Sequence, residues 1–297
     1  IWRFVVYSLL VVVIAYSKDI KSSVFKGLWF AGLLIGILGF VQYFLYPNLR
    51  NLAYLGWDPH LYRVFSSLLD PNFTGIVLVL TILLHSHLSN SLSLFERRTG
   101  FLILISSLLL TYSRGSWIAG FTALFMRSLI QKKMMQVIIW LIFFLGFLPL
   151  LPRPAGEGVD LMRTLSVYSR IADSQEALRV FAKSPIFGVG FNSLRYIREK
   201  TNIVENTEDV SHSGAGFHNS WLFIMATTGI VGLVAYINVW WKIFVLAKEK
   251  ELLSISAVAV GVHSLFDNSL FFPWVMVWIW VIVGVILRVD KSPSVRS

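Results

Sequence analysis

Nine apolar runs divide this chain, at about 4–16, 25–45, 73–88, 100–112, 116–130, 136–151, 219–241, 252–266 and 270–287. A helix needs roughly 17–25 apolar residues to cross a bilayer. In hydrocarbon a segment satisfies its own backbone N–H and C=O groups only as a helix or within a closed barrel. Repeated runs joined by short polar turns therefore predict an all-α, polytopic integral membrane protein of about nine spans. Composition agrees: 14% of residues are charged, against about 25% in soluble domains. Eleven Trp, ten Tyr and 23 Phe suit the aromatic belts of a membrane boundary. With no cysteine, disulfides, thiolate metal sites and cysteine nucleophiles are excluded. The net charge of +10 is dispersed in short clusters between apolar runs. That pattern sets topology and suits membrane lipids with anionic head groups, and it argues against nucleic acid.

Lys and Arg in short loops give the orientation. If the first run passes from outside to inside, the clusters at 18–26, 97–98, 127–133, 242–250 and 288–296 fall inside. That is fourteen basic residues against three outside, Arg50, Arg63 and Arg114. The chain then divides into an N-terminal membrane bundle (1–151), an extracytoplasmic loop (152–218), a C-terminal bundle (219–288) and a cytoplasmic tail (289–297). Eight basic residues in the long loop do not oppose this, because long loops translocate largely regardless of charge. The chain opens on Ile1, already inside an apolar run, so further N-terminal spans are expected to precede it.

Between Phe101 and Met126 the only charged residue is Arg114, in LLLTYSRGSWIAG (108–120). One long helix would place a basic cluster on the wrong side and invert everything downstream. Two helices with Arg114 at the turn keep both clusters inside, and Gly115 would permit the turn. The first helix is then short, since twelve residues reach only about 18 Å. Arg114 would sit near the outer boundary, either as a snorkelling anchor or as a bidentate phosphate clamp. A recessed arginine is costly and usually pairs with an anion.

The long loop contains YSRIADSQEALRVFAKSPIFGVGFNSLRYI (168–197). Ile171, Leu178 and Phe181 follow helical spacing until Pro185 ends the pattern. Arg170, Arg179, Arg195 and Arg198 are available to an anion, although a solvated helix face explains any one of them. GVG (188–190) is a weak phosphate-loop signal without a strand or G-K-[ST]. In GAGFHNSWLFIMATTGIVGL (214–233), His218 and Asn219 stand at a helix N-terminus. There a histidine serves as a cap or as a general base near neutral pH, and the free N–H groups attract phosphate. RVFSSLLDPNFTG (63–75) adds Arg63, Asp70 and Asn72. GVHSLFDNSLFFP (261–273) adds His263 and Asp267, which serve either helix-to-helix hydrogen bonding or function. Glu205, Glu208 and Asp209 lack a tight D-x-D pair and read as a solvated tip, so neither a metal nor a cofactor is expected.

The ordered set YSRGSW, SRI…PIFGVGFNS, HNSWLFIMATTGIVGL and HSLFDN…FP resembles the O-antigen ligase and polymerase superfamily of bacterial envelope glycosyltransferases. RVFSSLLDPN is similar to that family's arginine and Pro-Asn stretch ahead of a span. The resemblance runs from about Arg63 to Pro273. It implies a helical fold of the GT-C type in the bacterial inner membrane, with the active site on the extracytoplasmic side under the long loop. It also implies a glycan donor on undecaprenyl pyrophosphate and an acceptor hydroxyl on a glycan or on lipid A core. Transfer would be inverting and metal-independent. The family's membrane-boundary arginine falls on Arg114, its loop arginine on Arg170 and its histidine on His218. Many members carry a tryptophan shortly after the loop arginine, where this chain has Ala172 to Glu176.

Together these readings assign Arg114 and Arg170 to the pyrophosphate and His218 to the acceptor proton. Arg63, Asn72, Asn219, His263 and Asp267 are expected to bind substrate. Two other readings stay open. One is a flippase-like transporter using His263 and Arg114, for which neither paired repeats nor broken helices are evident; the other is a non-catalytic assembly subunit.

Overall fold

The computed structural model describes residues 2–17, 21–55, 57–152, 154, 156–200, 216–247 and 250–287. All nine apolar runs form helices: α1 (Trp2–Tyr16), α2 (Lys21–Leu45), α3 (Pro71–His87), α4 (Leu94–Leu110), α5 (Arg114–Gln131) and α6 (Met134–Phe147), then α9 (Ser220–Ala247), α10 (Glu251–His263) and α11 (Pro273–Leu287). Two more, α7 (Leu165–Lys183) and α8 (Leu194–Lys200), lie within the long hydrophilic stretch. Among the described residues the sole β feature is an isolated antiparallel bridge between Asn48 and Leu61. Glu205, Glu208, Asp209 and the 289–297 tail lie outside the described residues, as do Lys18, Lys248 and Arg288.

Local chemistry starts these helices where they start. Asp70 accepts from the amides of Asn72 and Phe73, and Pro71 opens α3 with the φ a first turn needs. Ser93 and Glu96 form a capping box on α4, each satisfying an amide that the first turn leaves free. Ser113 caps α5 by accepting from Ser116. The Asn219 side-chain Oδ1 accepts from the amides of Trp221 and Leu222 at the start of α9.

The segments 23–45 and 220–247 are long and apolar enough to cross a bilayer, while 4–16, 71–87, 251–263 and 273–287 are apolar but shorter. Large side chains stand bare around the rim, among them Phe44 (74% exposed), Trp241 (68%) and Ile142 (66%). An apolar perimeter on this scale is unfavourable in water and natural in lipid. Inside, small residues let helices approach closely. Any side chain at Gly75 of α3 would collide with Ser116 of α5. This contact sets the first turns of the two helices side by side. α10 packs on α5 and α3, α2 packs on α3 and α4, α1 lies along α11, and α7 rests on α9.

Two expectations need correction, one at the α4–α5 turn and one in α9. The turn between α4 and α5 is made by Thr111, Tyr112 and Ser113, with Tyr112 in the left-handed region at φ 50°. Gly115 is already helical; it is small because a Cβ there would lie 3.2 Å from Phe266 Cβ. The apolar residues Ile171 and Leu178 of α7 face outward, at 51% and 52% exposure. The inward face of α7 is Ser166, Arg170, Asp173, Ala177 and Val180. Its lower part packs with Leu194, Phe217, Phe223 and Ala226.

The second correction concerns α9, which is broken at Gly229 (φ 66°, ψ −168°). The PIFGVG turn fills the break. Ile230 and Val231 donate to the carbonyls of Pro185 and Ile186, while Val189 and Gly190 donate to those of Ala226 and Thr227. Gly188, also at positive φ (68°), has no room for a Cβ against the Thr227–Gly229 backbone. The glycines thus serve close backbone docking, with their neighbouring amides spent on α9.

Candidate functional site

Two structural pivots build the site: the α4–α5 turn and the inward face of α7. Three guanidinium groups gather at the turn. Arg63 Nε donates to the Thr111 carbonyl at 2.8 Å. Arg163 Nη2 donates to the Tyr112 carbonyl at 2.9 Å. Arg114, the first residue of α5, donates from Nη1 to the Leu161 carbonyl (3.2 Å) and from Nη2 to Ser166 Oγ (2.9 Å). Carbonyls left over at a helix end are natural acceptors for such donors. Arg63 is 5% exposed, and its Nη2 has no hydrogen-bond partner among the described residues. Burial first and then the charge of Arg163 lower its pKa, against the pull of Asp70 and Asp267, to about 9.

α7 carries the rest. Helical positions i, i+4 and i+7 share one face, so Ser166, Arg170 and Asp173 point the same way. Ser166 holds Arg114. Arg170 Nη2 meets Asp267 Oδ2 at 3.2 Å. Asp173 Oδ2 accepts from the His218 amide at 2.6 Å and lies 3.1 Å from His218 Nδ1. One helix face therefore links Arg114, Asp267 and His218, three residues more than forty positions apart in sequence.

The electrostatics follow from this arrangement. The hydrogen bond to Asp173 raises the His218 pKa above its ordinary 6.5; burial opposes it, and Asp267 adds to it. Burial pushes the Asp267 carboxyl up to about 7, with Arg170 pulling the other way. Asp173 fixes the His218 ring through Nδ1, which leaves Nε2 to act on a proton.

Behind these groups lies a buried hydroxyl network. His263 is fully buried, with Nε2 3.0 Å from Ser116 Oγ and Nδ1 2.5 Å from Ser269 Oγ. Ser116 donates to the Asn72 carbonyl, and Ser113 donates to Asn72 Oδ1 at 2.9 Å. Ser220 donates to the Asp267 carbonyl, and its amide donates to that of Ser264. The starts of α3, α5 and α9 are thus stitched to the α10–α11 turn. His263 sits within this stitching, as Asn219 sits within the α9 cap. The half-buried Asn72 is the member whose side chain reaches the α4–α5 turn. Arg179 and Arg195 are exposed, off the inward face of α7.

One set of metal-type ligands exists among the described residues. Atoms of Asp58, His60 and Asp70 lie within 4.8 Å of one another. One Asp70 oxygen already caps α3. Burial and the charges of Arg63 and Arg163 lower the His60 pKa to about 3, and the same positive surroundings oppose a cation.

Sequence reading missed Asp173, Ser166, Arg163 and the two serines at the start of α5. The spacing Ser166, Arg170, Asp173 was a usable signal, because it repeats at helical intervals directly above Ala177 and Val180.

The family described as O-antigen ligase matches residues 99–237, from α4 through most of α9. That match supports the O-antigen ligase and polymerase superfamily, a membrane glycosyltransferase type in general. Arg114, Arg170, Asp173, His218 and Asn219 lie within the matched region; Arg63, Asn72, His263 and Asp267 lie outside it. No curated protein matches the chain.

Proposed function

We propose that the protein is an inverting glycosyltransferase that moves a glycan from undecaprenyl pyrophosphate to a hydroxyl of a growing polysaccharide or of lipid A core. The supporting observation is the single face of α7 that holds Arg114, Arg170 and His218 in one neighbourhood. The acceptor oxygen attacks the anomeric carbon from the face opposite the diphosphate, and His218 Nε2 takes its proton. The bond from that carbon to the diphosphate oxygen breaks, and the electron pair leaves on the diphosphate. Arg114 and Arg170 meet the charge that develops there, already oriented by Ser166 and Asp267. Fixed donors of this kind stabilise a leaving group without reorganising at the moment of reaction, so the mechanism runs without a metal. Arg63 is a third cation behind the turn.

Basic clusters at 97–98 and 127–133 orient the site end toward the extracytoplasmic side, under a helical GT-C arrangement whose nine apolar helices span the inner membrane. An apolar crevice between α3, α4 and α5, lined by Leu109, Trp117 and Leu124 among others, descends from the Arg114 turn and suits part of a polyprenyl tail.

The broken α9 is the feature that favours a carrier, but its freed backbone groups are consumed by residues 185–190 and so cannot hold cargo. The test is to incubate purified protein in detergent with labelled lipid-linked glycan and acceptor. Glycosidic product is expected; its absence, with vesicle transport intact, would overturn the reading in favour of a carrier.

A further inference from the structure

We propose that the end of the bundle remote from the Arg114 turn holds an anionic diacyl phospholipid. α4 runs between the two ends, and its seventeen residues separate them by about 25 Å. At the remote end the last turns of α3 and α5 and the first turns of α4 and α6 enclose an open groove of about 790 Å³.

The groove has a charged part and an apolar part. Arg97, Arg98, Arg127 and Lys133 line the first, and no carboxylate is among the lining residues. Glu251 pairs with Arg127 Nε at 2.8 Å and accepts from Gln131, so one cation of the four is neutralised. The side chains of Arg97, Arg98 and Lys133 make no ion pair among the described residues and are exposed. Phe101, Leu102 and Ile139 form the apolar wall. That wall continues into Ile142 of α6, and Leu102, Ile139 and Ile142 are 58–66% exposed.

A small anion would satisfy the cations but not the wall, and a neutral lipid would satisfy the wall but not the cations. A phosphodiester head with acyl chains satisfies both, with each basic residue near a charged lipid surface adding to the attraction. Arginine reads phosphate oxygens bidentately, and an arginine pair beside a lysine suits a glycerophosphate group. The groove shares no lining residue with the transfer site.

The test is native mass spectrometry of the purified chain. Phosphatidylglycerol and phosphatidylcholine with matched acyl chains are compared on the wild type, on R97Q/R98Q/K133Q and on a K242Q/K250Q control whose positions lie outside the groove. The wild type and the control should retain phosphatidylglycerol preferentially. Removing three cations should weaken that retention by about 100-fold. Equal retention of the two lipids, or undiminished retention by the triple variant, overturns the proposal. Inorganic phosphate that raises the thermal midpoint as much as phosphatidylglycerol does would show a free-anion site and overturn it too. If the triple variant unfolds, R97Q and K133Q measured singly should each weaken retention, and unchanged retention in both overturns it.

Discussion

The two ends of α4 and α5 carry similar numbers of cations in opposite conditions. At the turn, Arg63, Arg114, Arg163 and Arg170 are held by carbonyls, a hydroxyl and a carboxylate. At the remote end Arg127 is paired, while Arg97, Arg98 and Lys133 are exposed and make no ion pair among the described residues. Held cations lose little freedom when charge arrives and can favour one geometry over another; exposed cations adapt to whatever anion is present. The first state suits differential binding of a transition state, and the second suits a head group. The same residue type thus signals different work according to what orients it.

That contrast can be broken most sharply at His218. His218→Ala should reduce transfer by about 10²–10⁴-fold, the usual contribution of a positioned base. Product formation from labelled lipid-linked glycan measures it, and a loss of less than threefold would remove the base. Next comes Arg114→Lys, which keeps the charge but loses the fork. Transfer should fall by about 10²-fold, of the order seen when one preorganised donor is lost. Arg97→Lys, at the other end, should leave transfer unchanged. Equal losses in both variants would dissolve the distinction between the ends.

A pH profile sharpens the comparison further. Because Asp173 raises the His218 pKa, the imidazole stays protonated to higher pH than an ordinary histidine. The neutral base therefore forms only as pH climbs past 6.5, and the rising limb of the rate profile should lie above that value. Asp173→Asn removes the largest cause of the shift and should move the limb to lower pH. A limb that stays in place would deny the pairing. The associated stability runs the same way: it is fully present below the unfolded pKa and is lost as pH rises through the folded one. The smallest effect is expected at the Ser113 cap. Ser113→Ala should cost about 1 kcal/mol of stability, read as a lower thermal midpoint with transfer within a few-fold of wild type.

The helices were legible because apolar runs and basic clusters are strong signals. The division of 101–126 into two helices was legible from charge placement alone. Its turn chemistry was not: a glycine beside the turn drew attention away from Tyr112, whose positive φ no propensity suggests. Arg114, Arg170 and His218 were readable as candidates, but what unites them was not. Periodicity identifies the buried face of a helix by its apolar residues, and the spacing of Ile171 and Leu178 gave the helix without its inward face. On α7 the buried face is polar in its upper half because its partners are charged, a local violation of patterning of the kind expected near a working site. Asp173 was hidden for that reason.

The docking of residues 185–190 into the gap at Gly229 has a further consequence. α7 and α9 approach the site from separate stretches of chain, and their relative pitch decides whether residue 173 can reach residue 218. Four main-chain hydrogen bonds act as a dowel between them. Side-chain drift along the loop leaves this joint intact so long as Gly188 and Gly229 persist. Replacement of either would loosen the alignment of the Asp173 carboxylate and the His218 imidazole from a point outside the candidate site.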